Sequence, residues 1–324
     1  MAESDEAWRR FDEIVSGAPV TSPWAHAQGD AARYVPDLDL LERLLTVPVQ
    51  LGLKTTTGAP AKAVDVWAAH ELRRAGFDAD EVWPRASEPR VLPYEVALLR
   101  KVLPRRLADT LFERIDAGKV RGGVTAADAY VLGKAYAKQV DVLIAQWSRG
   151  PELMISTKRM GSSFGNNALN RIEESYGDAK NLRGRHPLAA TGYLFVIRGT
   201  AFRTDASTAE RLIDLLIKLA QEPDAYDATA LVVYELVDAN GARIDGDASG
   251  ADIRVVVDSA RVPPQLQMDR FLTTMIDAVL TRTPVDLHVE VRNRRRGKDL
   301  PLQESATGAL DEPPPGARVD EDDA

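Results

Sequence analysis

Between residues 57 and 77 the chain reads TGAPAKAVDVWAAHELRRAGF, in which Val64, Trp67, Ala68 and Leu72 recur at helical intervals. Pro60 stands where a first helical turn tolerates it and Gly76 marks the end, so the pattern predicts a helix over 60–75. The N-terminal third as a whole reads as helical. Further helices are expected over 93–139, interrupted near Pro104 and at Gly122-Gly123. The period then changes: 140–145 (VDVLIA) and 153–157 (LMIST) are apolar runs of buried-strand length, parted by a turn at Gly150-Pro151. Ser162 or Ser163 is placed to cap a helix running to about residue 182, and 189–197 (AATGYLFVI) predicts a buried strand. A helix over 207–220, strands over 229–237 and 252–258, a helix over 266–281 and a strand over 284–292 complete the pattern. Helices alternating with buried strands predict an α/β fold with one central mixed sheet covered on both faces.

The chain divides accordingly into an N-terminal helical region (1–56), a first core helix followed by a helical, partly basic insertion (57–138), an α/β body (139–302) and a tail (303–324). The tail is Pro-rich and acidic with almost nothing to bury, and is expected to be disordered. Its seven acids against Arg318 account for −6 of the net charge of −8, so the remaining chain is nearly neutral and does not disfavour a polyanionic ligand. Within 99–123 seven basic residues face three acids, leaving a local excess of positive charge.

The absence of cysteine removes thiol nucleophiles, disulfides and cysteine-ligated metals. No apolar run reaches the length of a membrane-spanning helix and the N-terminus has no signal-like apolar stretch, so a cytoplasmic protein without a membrane partner is expected. The phosphate-binding glycine loop, the dinucleotide fingerprint and the nucleophile elbow are all missing, so no nucleotide cofactor is expected. The four histidines are scattered without the close spacing of a metal site.

The segment that carries chemistry is 141–174, DVLIAQWSRGPELMISTKRMGSSFGNNALNRIEE. Asp141 opens one apolar strand, and Ser156 and Lys158 share a face near the exit of its neighbour, within reach of one point. Phosphodiester hydrolysis needs hard oxygen ligands for Mg²⁺ and a cation to offset developing charge. Asp141 and Lys158 supply one of each, and a second carboxylate is required.

The arrangement resembles the PD-(D/E)XK restriction-endonuclease-like nucleases, with an Asp on one strand and an acid-x-Lys on the next. Here serine replaces the acid, giving Ser156-Thr157-Lys158, which is similar to a subgroup of restriction enzymes whose missing carboxylate comes from a glutamate on the following helix. Glu173 and Glu174 are the candidates. At about 100° per residue Glu173 falls about 40° from Leu169 on the apolar stripe and Glu174 about 140° away, which favours Glu173; Glu152 is a further fallback. The resemblance also implies an acid on the upstream helix. Asp65, 11 residues ahead of Gly76-Phe77, fits as an accessory metal ligand, with Glu71 as the alternative.

The resemblance implies a restriction-endonuclease-like core and a Mg²⁺-dependent DNA endonuclease, with Mn²⁺ able to substitute, in restriction or antiphage defence. Asp141 and Glu173 would hold the metal, Lys158 would act on water and phosphate, and Ser156 would offer a hydrogen bond where the usual acid stood. Ser162, Ser163, Asn166, Arg159, Arg171, Arg105 and Arg106 are the expected DNA contacts, with Arg292–Lys298 (RNRRRGK) a second cationic patch. Cutting two strands calls for two sites, hence a homo-oligomer. The alternative is a nucleic-acid-binding subunit on the same fold whose catalytic site has decayed.

Overall fold

The computed structural model describes residues 3–26, 32–54, 57–116, 125–161 and 164–297, and the acidic tail lies outside them. The chain runs through α1 (Glu3–Ser16), the short strands β1 (Trp24–Ala25) and β2 (Arg33–Tyr34), α2 (Leu38–Gln50), α3 (Ala59–Ala75), β3 (Val82–Trp83), α4 (Tyr94–Val102) and α5 (Arg105–Asp116). There follow β4 (Ala129–Leu132), β5 (Ala137–Val140), β6 (Val142–Gln146), β7 (Gly150–Met160), α6 (Gly165–Arg183), β8 (Ala190–Arg198), α7 (Ala201–Thr204) and α8 (Ala206–Leu219). The last elements are β9 (Ala228–Val237), β10 (Arg243–Ile244), β11 (Arg254–Val257), α9 (Met268–Arg282) and α10 (Val289–Arg296).

The central sheet is mixed, in the order β10-β9-β8-β7-β6-β3, with β11 also paired to β9. β7, β8 and β9 are parallel; β6 runs antiparallel to β7, and β3 antiparallel to β6. The parallel pairs need crossovers, supplied by α6 and then by α7 and α8. β8 is buried along its whole length, and its side chains divide by the two-residue period. Leu194 and Val196 join the core beneath α1, α2, α3 and α9, whereas Tyr193, Phe195 and Ile197 join the core beneath α6 and α8. Gly192 lets α9 approach this sheet, since a Cβ there would stand 2.8 Å from Phe271 and 2.9 Å from Met275. α1 and α2 thus share one core with the sheet.

α3 realises the expected 60–75 helix. Pro60 sits in its first turn, and Gly76 closes it at φ 109°, where a Cβ would stand 3.0 Å from the Val291 backbone nitrogen. Every residue from Ala63 to Ala75 is buried, including Asp65, Glu71, Arg73 and Arg74. A helix buried all round must bring partners for its charges.

Three expectations are corrected. Residues 129–140 form the β4–β5 hairpin, not helix, because Ala129 and Val131 point in while Tyr130 and Leu132 point out, a period of two. The expected strand over 284–292 is irregular chain ending at His288 (φ 52°) followed by α10. The carboxyl end of α9 needs donors for its last carbonyls, and Arg292 supplies them to Leu280 (2.8 Å) and Thr283 (3.1 Å). Gly150 and Pro151 belong to β7, opposite Gln146 and Ala145, so the turn occupies 147–149.

Candidate functional site

At the junction of α3, β6 and β7 two carboxylates from distant parts of the chain meet one residue. The Thr157 hydroxyl donates to Asp65 Oδ1 at 2.6 Å, and the Thr157 backbone N–H donates to Asp141 Oδ2 at 2.8 Å. Asp65 projects from α3 toward β7, 1% exposed, and Asp141 stands at the entry of β6 beside its antiparallel neighbour. Lys62, one turn before Asp65 on α3, lies 3.4 Å from it and 2.9 Å from Asp128, which precedes the β4–β5 hairpin. The hairpin is therefore bracketed by Asp128 and Asp141, and both its ends are fastened at the cluster.

Burial and then the charge of Asp141 raise the Asp65 carboxyl well above the usual carboxylate range, against the opposing pull of Lys62 and Thr157. Burial raises Asp141 as well, opposed by the Thr157 N–H and by Lys158, Lys62 and Lys138. Burial works to lower the Lys62 ammonium's pKa, but the carboxylates of Asp65, Asp128 and Asp141 more than offset it and raise it. Two anions driven together in a dry site are unfavourable as they stand, and hard oxygen donors of this kind match a divalent cation. The residues present fit such an ion.

Lys158 acts on Asp141 through its charge and is paired in register with Phe195 on the α6 side of the sheet, whereas Asp65 joins Asp141 through Thr157. Ser156 does not. It is paired in register with Tyr193 on the α6 side of the sheet, whereas Thr157 is paired with Leu194 on the α3 side, so Thr157 holds both aspartates. Glu173 is also corrected: it is exposed beside Tyr176, Leu215, Lys218 and Glu222, at a groove between α6 and α8. The buried stripe of α6 is Ala168, Ile172, Ser175, Ala179 and Leu182. The acid that α6 turns toward the hairpin is Asp178, 2.5 Å from Lys138 and accepting from the Tyr136 hydroxyl at 2.9 Å. Glu174 is exposed and paired with Arg171 at 2.7 Å.

Glu71, the alternative to Asp65, is a structural clamp: it accepts from Arg74 at 2.8 and 2.9 Å, from the Tyr34 hydroxyl at 3.0 Å and from the Asp37 N–H at 3.3 Å. Glu152 belongs to a separate cluster with Glu81 and His288. Among the described residues these three converge as a histidine–carboxylate group able to hold a metal. However, His288 already engages Glu152 at 3.1 Å through Nε2 and Glu81 at 3.4 Å through Nδ1, while Arg149 reaches Glu152 at 2.9 Å and Glu81 at 3.6 Å. Two cations balance two anions there.

Of the expected DNA contacts, Ser162, Ser163 and the side chain of Asn166 lie outside the described residues, and α6 opens at Gly165 with Phe164 in the cap position. Arg105 and Arg106 are exposed at the start of α5, with Arg105 3.8 Å from Asp109. Arg159 donates to the Tyr234 hydroxyl at 2.7 Å. In the described part of the RNRRRGK patch, 292–297, three arginines are half-buried and engaged by the protein: beyond Arg292, Arg294 bonds Glu290 and the Arg74 carbonyl, and Arg295 bonds Asp277 and lies over Trp24, while Arg296 is exposed. Lys62, Thr157 and Asp128 were missed by sequence reasoning, although the three-residue spacing of Lys62 and Asp65 is a legible signal.

Among the described residues no helix is long and apolar enough to cross a membrane. Comparison with protein-family models, with curated proteins and with solved structures returned no match for this chain.

Proposed function

We propose that the protein is a divalent-metal-dependent endodeoxyribonuclease whose metal ligands are Asp65 and Asp141. The observation that carries this reading is the convergence of buried Asp65 and half-buried Asp141 on Thr157, with both acids raised and cations arranged around them. The helix–strand–strand–helix–strand order implied by the resemblance is present as α3, β6, β7, α6 and β8, which supports a restriction-endonuclease-like core.

The bound cation, Mg²⁺ with Mn²⁺ able to substitute, would gather the phosphate and lower the pKa of the attacking water. The chain's own residues do the rest. Thr157 fixes both carboxylates, one through its hydroxyl and one through its backbone, so neither has to reorganise when substrate arrives. Lys62 spans Asp65 and Asp128 and holds the hairpin end against α3. Lys158, paired in register with Phe195 on the α6 side, acts on Asp141 through its charge, and the resemblance gives it the role of offsetting negative charge as the water oxygen bonds to phosphorus, releases a proton to solvent, and the bond to the leaving oxygen breaks. The leaving oxygen then takes a proton. The resemblance extends the proposal to restriction or antiphage defence, with DNA as partner and a homo-oligomer bringing one site to each strand.

The test is nicking and linearisation of supercoiled plasmids, unmodified and carrying cellular modifications, in Mg²⁺, Mn²⁺ and EDTA. Metal-dependent cleavage should fall about 100-fold or more in Asp65→Asn, Asp141→Asn and Lys158→Ala. Full activity in either aspartate variant refutes the assignment. Salt-sensitive binding with no cleavage of any DNA would make the decayed-site reading the better one.

A further inference from the structure

At the carboxyl ends of the three parallel strands the sheet opens into a cavity of about 450 Å³, within the range of small-ligand sites. Arg159 reaches it from β7, Arg198 from the last position of β8, Tyr234 from β9 and Lys54 from the segment after α2. Open α/β sheets bind ligands at this end of their strands.

The two arginines are held firmly, and among the described residues the one anion paired with either is Asp247, an exposed residue of the cavity's lining beside Arg198. Arg159 donates to the Tyr234 hydroxyl at 2.7 Å and lies 4.8 Å from the ring centroid. Arg198 is 4% exposed and spends Nη2 on the carbonyls of Ile244 (2.6 Å) and Gly246 (2.7 Å). Its acid, Asp247, stands 3.7 Å away with its carboxylate 99% exposed, too far for a hydrogen bond. The Nε of each arginine is buried without a hydrogen-bond partner. Among the described residues no carboxylate pairs with Arg159. Holding guanidinium charge in a recess without a matching buried anion is costly unless a ligand brings the anion. A planar guanidinium fork matches the oxygens of phosphate, and exposed Lys54 adds a third positive group at the rim.

We propose that this cavity binds a phosphate group through Arg159, Arg198 and Lys54. The group belongs either to a nucleic-acid strand or to a free nucleotide. Arg159 lies two residues beyond Thr157 on the same face of β7, about 6.6 Å along the strand. The inference goes beyond the nuclease reading and rests on the cavity's own charges. It holds even if Asp65 and Asp141 prove not to be catalytic.

The experiment is done in EDTA and phosphate-free buffer, so cleavage does not enter. Pyrophosphate and 5′-dAMP are titrated calorimetrically, and a short labelled DNA duplex by fluorescence anisotropy across a salt series. The wild-type full chain is compared with Lys54→Ala, an exposed change that spares the fold, and with Arg159→Gln, each checked by thermal melting. Loss of pyrophosphate or dAMP affinity by about tenfold in both variants, with duplex binding unchanged, identifies a free-nucleotide site. Weaker duplex binding in both variants, with the salt slope reduced by about 1 in Lys54→Ala and competition by pyrophosphate, identifies a strand phosphate. If pyrophosphate, dAMP and duplex all bind wild type and both variants equally, or none binds at all, the proposal is overturned.

Discussion

Thr157→Val removes the hydroxyl that ties Asp65 to β7 while keeping the volume and β-branching of the side chain. The lost contact, 2.6 Å from oxygen to oxygen, lies in the short range of hydrogen bonds to an ionised carboxylate. Such bonds contribute about 1.5–3 kcal/mol each, and Asp65 is too buried for water to replace the donor. Lys62, at 3.4 Å, is a longer contact that it already shares with Asp128. We therefore expect Thr157→Val to cost about 2 kcal/mol, read as a lower urea midpoint at unchanged slope in EDTA near pH 8. Thr157→Ser, which keeps the hydroxyl, should recover most of it. In an Asp65→Asn background the acceptor is neutral and the hydrogen bond about half as strong, so the same Thr157→Val change should cost about 1 kcal/mol, a coupling of about 1 kcal/mol in the double-mutant cycle. Equal costs in the two backgrounds, or no cost in either, would refute the link between Thr157 and an ionised Asp65. Because the hydroxyl orients a proposed metal ligand, Mg²⁺-dependent cleavage should drop about 10- to 100-fold in Thr157→Val and recover in Thr157→Ser.

Glu71→Gln weakens the clamp on Arg74 and Tyr34 and should destabilise the protein by several kcal/mol in urea titration, while the folded fraction keeps its cleavage rate; loss of cleavage without loss of stability would move the catalytic role from Asp65 to Glu71. Glu173→Ala, at an exposed position, should leave plasmid cleavage within about threefold of wild type, and a fall of about 100-fold would restore the migrated glutamate. Burial works to lower the His288 pKa, but its hydrogen bonds to Glu152 and Glu81 outweigh this and raise it to about 9. The stability it confers is therefore complete below about pH 6.5 and is lost as pH rises through 9, so thermal melts of wild type should fall across this window more than those of His288→Asn. Parallel pH profiles would show that the His288 bridge carries no net stability.

Which parts of this arrangement the sequence makes visible follows from how each residue signals its surroundings. Asp65 stands in a helix whose apolar spacing, proline start and glycine stop are all local, and Asp141 opens a short apolar strand, so both positions are legible from their immediate neighbours. Glu173 fails because the phase of α6 is carried by small residues. Ala168, Ser175 and Ala179 are buried but weak as signals, whereas the large Tyr176 is 39% exposed. Choosing between Ser156 and Thr157 needs knowledge of which sheet face α3 covers, a tertiary fact that the two-residue period cannot supply. Arg292 fails for a related reason, since a run of charge looks the same whether it meets solvent or the last carbonyls of a preceding helix.

The same reasoning explains how the cluster is built without the acid that the resemblance expects at 156, since the neighbouring Thr157 is the residue that faces the aspartates. A carboxylate at 157 would set a third anion against Asp65 and Asp141 with Lys62 already shared, whereas a hydroxyl and a backbone N–H place two donors on the two acids and add no charge. The site thus keeps two carboxylates by drawing one from α3, and the strand that usually carries the second acid supplies the groups that hold the pair in place. Placing an acid there by Thr157→Glu should therefore impair folding, because it removes a donor and adds repulsion in a buried site.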